Sequence, residues 1–222
     1  MRLKSLERVK LIKINEFFYS IQGEGTKAGL PCIFIRLTYC NLRCSYCDTE
    51  YAFYDGKDFS VEEILAEIKK YNCSLVEVTG GEPLMQHECF DLLTKLCENG
   101  YEVMLETGGS LSIEKVDKRV KTILDFKCPS SKMEKKNYYE NIKFLKPIDE
   151  VKFVIGNRED YEWSKKLIED NNLSKKCEVI FSTVFGKLEY RTLSEWILED
   201  NLKVRFQIQL HKHIWEPDKK GV

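Results

Sequence analysis

Short apolar runs alternate with amphipathic stretches along this sequence, and that alternation constrains the fold more than any other feature. The runs are of strand length, and the stretches between them show the three-to-four-residue spacing of helices. Residues 61–71 form the clearest helix, and Ser60 with Glu63 makes a capping box at its start. The other predicted helices cover 88–98, 136–145, 158–170 and 192–199. The predicted strands cover 14–21, 32–37, 75–79, 102–107, 122–127, 151–155, 178–182 and 204–210.

This order of elements predicts an α/β fold with a parallel sheet covered by helices. About six βα units are too few for a closed eight-stranded barrel. An open, partial βα barrel and a doubly wound sheet both remain compatible with the pattern. The sequence contains no internal repeat, low-complexity segment or linker. We therefore expect residues 1–222 to form one domain, with the N-terminal strand and the C-terminal tail completing its functional site.

Polar and glycine-containing segments follow the ends of successive predicted strands. In parallel α/β folds the carboxyl ends of the strands meet at one edge, where ligands bind. Strand ends also need turn residues, so only part of this pattern indicates a site. The segments are Thr79-Gly80-Gly81-Glu82, Glu106-Thr107-Gly108, Lys127-Cys128, Ser182-Thr183 and Gln209 to His211.

The balance of charge and hydropathy argues against several classes of protein. Lys and Arg total 35 against 36 Asp and Glu, a formal net charge of −1. Nucleic-acid-binding proteins usually carry a basic surplus, so no nucleic-acid partner is expected. No run of about 18 apolar residues is present, so no membrane span is expected. Residues 1–13 lack the apolar centre of a signal peptide, and we expect a cytoplasmic protein.

Three of the nine cysteines form a tight cluster, Cys40, Cys44 and Cys47, directly after a predicted strand. In a reducing compartment such a cluster favours metal binding over disulfides. Three thiolates can hold three irons of a [4Fe–4S] cubane and leave the fourth open to a reactant. A structural zinc site would need a fourth ligand, and His87 and Cys32 give no familiar spacing. Three core cysteines are the other alternative, but the spacing fits neither a strand nor a helix.

The Cys-x-x-x-Cys-x-x-Cys spacing, with Tyr46 before the last cysteine, resembles the signature of the radical S-adenosylmethionine (SAM) superfamily. The later segment Thr79-Gly80-Gly81-Glu82-Pro83 is similar to the element that contacts the amino group of SAM in that superfamily. The resemblance implies an open βα barrel of the radical SAM type, with a [4Fe–4S] cluster and SAM as cofactors. One electron from the cluster would cleave SAM, and a 5′-deoxyadenosyl radical would abstract a substrate hydrogen. The protein would orient the cofactor and shield the radical.

Over essentially its whole length, the chain also resembles one family within that superfamily, the 7-carboxy-7-deazaguanine synthases. The resemblance rests on Gln22-Gly23-Glu24-Gly25, Phe34-Ile35-Arg36, Cys47-Asp48-Thr49, Glu106-Thr107 and Gln209-Leu210-His211-Lys212. It implies a carbon–nitrogen lyase that contracts 6-carboxy-5,6,7,8-tetrahydropterin to 7-carboxy-7-deazaguanine and releases ammonia. The product would feed the queuosine or archaeosine nucleosides of tRNA. The resemblance also implies Mg²⁺, an electron donor such as flavodoxin or ferredoxin, and a homodimer.

The expected substrate site combines the segment before the cysteines with the tail. Glu24 can accept paired hydrogen bonds from the guanidine-like edge of a pterin, although it could be a solvated loop carboxylate. Arg36 suits the substrate carboxylate, with a structural salt bridge as the alternative. His211 and Lys212 could close the pocket, bind that carboxylate, or belong to a fraying tail. The full expected set is Ile21, Gln22, Gly23, Glu24, Arg36, Thr79, His211 and Lys212.

The expected cofactor contacts come from the resemblance and lie at the strand ends. Thr49 matches a Mg²⁺ ligand, although a lone hydroxyl needs substrate oxygens and water to complete six ligands. Cys128 could line the SAM pocket, or it could instead be a small residue packed in the core. The full set expected at SAM is Gly80, Gly81, Glu82, Glu106, Lys127, Cys128, Pro129, Ser182 and Thr183.

Two other functions remain compatible with the cysteine cluster. A glycyl-radical activase is also a short radical SAM enzyme, but it acts on a protein and leaves Gln22 to Gly25 unexplained. A non-enzymatic zinc or iron–sulfur module would bind zinc or hold a cluster that does not respond to SAM.

Overall fold

The computed structural model describes residues 10–222, which contain nine strands and five α-helices. The helices are α1 (Val61–Ile68), α2 (Glu88–Glu98), α3 (Arg158–Asn171), α4 (Tyr190–Glu199) and α5 (His211–Ile214). The strands are β1 (Ile12–Ile21), β2 (Pro31–Leu37), β3 (Lys57–Phe59), β4 (Leu75–Gly80), β5 (Glu102–Thr107), β6 (Lys121–Phe126), β7 (Glu150–Ile155), β8 (Glu178–Thr183) and β9 (Arg205–Phe206). The sequence predicts that residues 1–13 are not a signal peptide. The first nine of these residues lie outside the described part of the chain.

All nine strands form one open sheet in the spatial order β3-β1-β2-β4-β5-β6-β7-β8-β9. The first three strands pair antiparallel, and every pair from β2 to β9 is parallel. The predicted open, mostly parallel α/β fold is therefore confirmed. Within residues 10–222, no helix is both long enough and apolar enough to cross a membrane.

The two faces of the sheet differ in chemistry because successive side chains of a strand point to opposite sides. On β4, Val76 and Val78 belong to the large core cluster that packs with the helices, whereas Glu77 and Thr79 point to the opposite, concave face. The concave face has a smaller apolar cluster of its own: Phe18, Cys32, Phe34, Leu75, Met104 and Ile123. Strand alternation thus leaves the concave face available for polar groups.

The helix predicted at 136–145 is wrong. The chain there forms two short 3₁₀ turns, Glu134–Lys136 and Tyr139–Lys143. Asn141 bonds the backbone of other loops, since its amide donates to Leu111 O at 2.9 Å and its Oδ1 accepts from Ile113 N at 3.0 Å. Side chains of this kind compete with helical hydrogen bonding. The crossovers from β5 to β6 and from β6 to β7 contain no α-helix. The structure therefore has fewer complete βα units than the six that the sequence predicts.

Both ends of the sheet also differ from the prediction. The strand predicted at 204–210 shortens to Arg205–Phe206, and α5 follows it. The chain leaves the sheet because Gln207 bonds the backbone of Gly25 in both directions, at 2.6 and 2.8 Å. The short edge strand β3 was not predicted, since only one of its three residues is apolar.

The predicted capping box of α1 is present and gives a test of local stability. Ser60 Oγ accepts from Glu63 N at 3.2 Å, and the Glu63 carboxylate accepts from Ser60 N at 2.7 Å. We expect Ser60→Ala to lower the free energy of unfolding by about 1 kcal/mol, and the melting temperature by about 2–4 °C. Thermal denaturation of the apoprotein measures this. Glu67→Ala on the same helix, which removes only a surface ion pair with Lys70 just past the helix end, should change stability by a few tenths of that amount. Equal effects would show that the cap is not important.

Candidate active site

A cavity of about 570 Å³ lies over the concave face and at the carboxyl ends of the parallel strands. Its apolar wall includes Phe18, Phe34, Met104 and Ile123 from the smaller core cluster. Its charged wall is supplied by inward positions of the central strands, namely Arg36, Glu77, Glu106, Asp125 and Lys152. This position agrees with the strand-end site that the sequence predicts.

The three cysteines line this cavity on the loop that follows β2. Each thiol is partly buried, and Leu42 between them is buried. Cys47 N donates to Cys44 O at 3.2 Å, which closes a turn between the second and third cysteines. The loop is also fixed from outside, because Ser45 donates through N and Oγ to Ser131 O and Ser130 O, at 3.0 and 2.6 Å.

Two glycines let the end of β4 approach the cysteine loop closely. A Cβ built on Gly80 would lie 2.4 Å from Leu37 O, and one on Gly81 would lie 2.2 Å from Tyr39 O and 2.7 Å from Cys40 Cβ. Gly81 N donates to Leu37 O at 3.2 Å, so the two segments are also hydrogen-bonded. Only glycine gives this clearance.

The donor set fits a [4Fe–4S] cluster better than a single metal ion. Within residues 10–222, no three His, Cys, Asp or Glu side chains converge closely enough to bind one ion. Tetrahedral zinc needs such convergence, whereas a cubane takes each thiolate on a different iron. Burial raises the pKa of all three thiols, that of Cys44 to about 11, while the Lys127 ammonium acts in the opposite direction. Iron binding must therefore displace the thiol protons.

The segment from Gln22 to Gly25 is held against the other side of the cavity by the C-terminal part of the chain. Leu210 N donates to Gly23 O at 3.0 Å. A Cβ on Gly23 would lie 2.1 Å from His211 Nδ1, so glycine is needed where α5 crosses this loop. Gln209 Nε2 donates to Glu24 Oε1 at 3.1 Å. The tail residues 217–222 also line the cavity.

Several carboxylates and one lysine form a buried network on the concave face. Lys152 Nζ lies 2.5 Å from Glu106 Oε1, 3.0 Å from Glu24 Oε2 and 3.8 Å from Asp125 Oδ2. Gln22 Nε2 donates to Glu77 Oε2 at 2.6 Å. Burial raises the pKa of Glu77 to about 7 and that of Glu106 to about 8. Burial also acts to raise the pKa of Glu24, but Lys152, His211 and Gln209 outweigh it and lower that pKa.

Arg36 lines the cavity. It also makes a salt bridge, which was the alternative role considered for it from the sequence. Its Nε donates to Glu16 Oε1 at 2.7 Å, and its guanidinium lies over the Phe18 ring, 5.4 Å from the centroid. Tyr51 Oη donates to the same Glu16 oxygen at 2.8 Å. The other guanidinium nitrogens make no hydrogen bond within residues 10–222, so they are the part of Arg36 available to a ligand.

A short chain of polar contacts joins the cysteine loop to α5. Thr49 Oγ1 donates to Asp48 Oδ1 at 2.9 Å, and Lys212 Nζ donates to Asp48 Oδ2 at 2.6 Å. Burial acts to raise the pKa of Asp48, but Lys212 outweighs it and lowers that pKa to about 2. Lys212 is thus ordered at the cavity wall and does not belong to a fraying tail.

The structure brings most of the sequence-predicted residues to one cavity. All eight expected at the substrate line it, as do the three cysteines, Thr49, Gly80, Gly81, Glu106 and Lys127. Five residues expected at SAM do not line it: Glu82, Cys128, Pro129, Ser182 and Thr183.

Those five residues have structural reasons to lie outside the cavity. Glu82 is fully buried, and its carboxylate accepts from Thr107 Oγ1 at 2.8 Å and from Gly108 N at 2.9 Å. Cys128 is also fully buried, 3.5 Å from Ser164 Oγ under α3, so the packing alternative describes its environment. Pro129 opens a 3₁₀ turn, and Ser182 and Thr183 are buried at the end of β8.

Three residues of the network were missed by sequence reasoning: Glu77, Asp125 and Lys152. Each is a single charged residue in the middle of an apolar strand, in the segments Val-Glu-Val, Leu-Asp-Phe and Val-Lys-Phe. A half-buried strand with a solvated face gives the same pattern. The signal that could have identified them is the recurrence of one charged residue within several apolar strands of a predicted parallel sheet.

A three-cysteine loop at the carboxyl edge of an open βα barrel defines the class of radical SAM enzymes. The model of the Radical SAM superfamily matches residues 34–170, more than half of the chain. The crystal structure of QueE from Escherichia coli has a similar fold, with a TM-score of 0.76 at 24% identity, over 90% of this chain and 95% of that one.

Two relatives extend the comparison over nearly the whole chain. The 7-carboxy-7-deazaguanine synthase of Chlorobaculum tepidum is 46% identical over 216 residues, which are 95% of this chain and 97% of the relative. The 7-carboxy-7-deazaguanine synthase of Koribacter versatilis is 42% identical over 226 residues, covering 95% and 100%. The chain belongs to the family of 7-carboxy-7-deazaguanine synthases.

The close packing of Gly81 against the cysteine loop gives a prediction about cluster assembly. We expect Gly81→Ala to lower iron and sulfide content severalfold after anaerobic reconstitution, because its Cβ would displace Tyr39 and Cys40. Metal analysis and the visible absorption of the cluster measure this. Gly100→Ala is the control: a Cβ there meets no atom within 4 Å, although the φ of +84° at that glycine disfavours alanine. It should cost some stability and leave iron content unchanged. Full iron content in Gly81→Ala would contradict the role of this contact.

Proposed function

We propose that the chain converts 6-carboxy-5,6,7,8-tetrahydropterin to 7-carboxy-7-deazaguanine with release of ammonia, in the biosynthesis of queuosine or archaeosine. The observation that carries this proposal is the 46% identity to a 7-carboxy-7-deazaguanine synthase across 95% of the chain. The cavity supports it, because one enclosed space holds three cysteine thiols at one side and a carboxylate on a glycine-rich loop at the other.

The cofactors have a place in this cavity. Cys40, Cys44 and Cys47 would hold the [4Fe–4S] cluster, and Gly80 and Gly81 would contact SAM from the end of β4. When bound, the cluster and SAM supply one-electron chemistry that removes a hydrogen atom from the substrate. The residues of the chain enclose the reaction, and the tail residues 217–222 limit the access of water.

The substrate is oriented by charges at its two ends. Glu24 accepts hydrogen bonds from the 2-amino group and the adjacent ring N–H of the pterin, and the backbone of Ile21 to Gly23 borders that edge. The free nitrogens of Arg36 face the substrate carboxylate, with His211 and Lys212 closing the cavity over it. Thr79 borders the ring from the end of β4.

Magnesium would bind beside the last cysteine. Thr49 supplies a hydroxyl, and substrate oxygens and water complete the oxygen ligands that Mg²⁺ requires. The neighbouring Asp48 carboxylate offers a further oxygen 2.9 Å from Thr49 Oγ1, while its other oxygen pairs with Lys212. The ion would hold the substrate carboxylate.

The remaining parts of the proposal concern partners and rest on the family resemblance alone. They are a flavodoxin or ferredoxin as electron donor, a homodimer as the functional unit, and a cytoplasmic location. The identity to 7-carboxy-7-deazaguanine synthases over 95% of the chain gives no support to a glycyl-radical activase. A zinc module is not favoured either, since the described residues do not preform a single-ion site.

The deciding experiment is anaerobic turnover of the reconstituted holoenzyme with reductant, SAM, Mg²⁺ and 6-carboxytetrahydropterin. We expect 7-carboxy-7-deazaguanine by mass spectrometry, and neither that product nor 5′-deoxyadenosine from Cys44→Ala. Cys97→Ala, outside the cavity, should retain both products. 5′-Deoxyadenosine without the deazaguanine would show that the substrate is wrong, and SAM cleavage by Cys44→Ala would refute the cluster ligands.

The role of Glu24 gives a separate prediction. We expect Glu24→Gln to raise the KM for the pterin about tenfold or more, because an amide presents a donor where the carboxylate presents an acceptor. The KM for SAM should change little. Steady-state kinetics with each substrate varied in turn measure the split, with Glu98→Gln on the exposed end of α2 as the matched control. An unchanged pterin KM would assign Glu24 to the loop alone.

A further inference from the structure

Lys152 is a buried lysine in the centre of the site, and neither the motifs nor the proposed reaction uses it. It is the third residue of β7, between Val151 and Phe153, which point into the outer core. Its own side chain points to the concave face and is 8% exposed. A lysine is rarely buried to this extent without partners that compensate its charge.

The partners of Lys152 are three carboxylates from three different parts of the chain. Glu106 comes from β5, Asp125 from β6, and Glu24 from the loop between β1 and β2, at 2.5, 3.8 and 3.0 Å from Nζ. Each of the three residues lines the cavity. Lys152 is therefore the point at which the loop that carries Glu24 is attached to the central strands.

Other polar and charged groups also face Glu24, and Gln209 donates to it at 3.1 Å. His211 and Gln209 approach it from the C-terminal segment and favour its ionised form. Glu77 and Glu106 face it from β4 and β5 and oppose that form. Lys152 is the only lysine or arginine within residues 10–222 that forms an ion pair with Glu24. Without it, burial would act to raise the pKa of Glu24, and only His211 and Gln209 would act to lower it.

The ionisation state of Glu24 decides which ligand edge it can bind. An ionised carboxylate only accepts, so it matches an edge with two adjacent N–H donors, as in the 2-amino-4-oxo ring of a pterin. A protonated carboxyl has one O–H donor, and it matches an edge that pairs a carbonyl with an N–H. The 2,4-dioxo ring of a lumazine has such an edge.

We propose that Lys152 is a specificity-determining positioning residue, which holds Glu24 as a two-fold acceptor and so selects the 2-amino pterin ring over its 2-oxo analogue. This inference rests on the proposed function, because it takes Glu24 as the residue that binds the pterin edge. Lys152 acts through Glu24 and does not itself touch the ligand edge.

The test compares the binding of two fluorescent probes, 6-carboxypterin and 6-carboxylumazine, to the reconstituted holoenzyme with SAM. At about pH 6 both rings retain their amide protons, whereas an isolated Glu is ionised. We expect the wild type to prefer the pterin about ten- to hundredfold, as suits hydrogen bonds to a charged acceptor. In Lys152→Met the preference should fall to about threefold or less, and it should recover as the pH is raised toward about 7.5. The wild-type preference should change much less over this range, since its Glu24 stays ionised while Glu77 titrates.

Three further variants separate this role from a loss of structure. Lys152→Arg keeps the cation and should keep the preference. Lys152→Gln provides a smaller neutral side chain if Lys152→Met does not fold. Lys121→Met removes another lysine of the same face, which pairs with Glu150 at 2.7 Å and does not contact Glu24. It should weaken both probes alike and leave their ratio unchanged.

The possible outcomes point to different conclusions. A neutral variant of Lys152 with the preference and the pH profile of the wild type would overturn the inference while leaving the proposed function intact. Loss of the preference in Lys121→Met to the same degree would also overturn it, by showing a general effect of the loop. A wild type that binds neither probe, and makes no deazaguanine, would remove the proposed function and the inference together.

Discussion

The burial of acidic groups on the concave face is the constraint on which this structure depends. Glu24, Glu77, Glu106 and Asp125 all lie in one cavity, where an uncompensated charge would cost several kcal/mol. The chain meets this constraint with Lys152 on β7 and Lys127 directly after β6. Burial also raises the pKa of Glu77 and Glu106, so that these acids can carry protons. Because the acids come from separate strands, their compensation requires the strands to be in register. The compensation of charge in the site therefore depends on the order and register of the strands.

The same constraint explains why distant parts of the chain close over the cavity. The loop with Glu24 cannot carry its carboxylate inward unless its own backbone groups are satisfied. The Gln207 side chain hydrogen-bonds the N–H and the carbonyl of Gly25, and Leu210 N donates to Gly23 O. This is why the last predicted strand ends early: the side chains that would extend it are needed by a loop more than 180 residues earlier in the chain.

Most of the predicted substrate and cofactor residues rested on the family resemblance. The sequence alone was sufficient for the parallel sheet and the cysteine loop, because each leaves a local pattern in spacing or composition. It was not sufficient for Lys152, since Val-Lys-Phe has the same alternation whether the lysine meets water or three carboxylates. The helix expected at 136–145 failed for a related reason. Its asparagines bond loops that are adjacent only in the folded chain, and such partners cannot be seen in a local pattern. In each case the sequence does not show which face of the sheet a side chain occupies or which distant residue it contacts.

Glu82 and Glu106 show how far a motif can specify a role. Both acids follow or end a central strand, yet Glu82 is saturated by donors of the chain, and Glu106 is open to the cavity. The backbone of Glu82 donates to Tyr39 O at 2.7 Å, and its carboxylate binds Thr107 and Gly108, so it joins the cysteine loop to the end of β5. Glu106 is the residue directly before Thr107, and it contacts Lys152, which contacts Glu24. A continuous path of short contacts thus connects the cysteine loop to the loop that carries Glu24, so the positions of the two loops depend on each other.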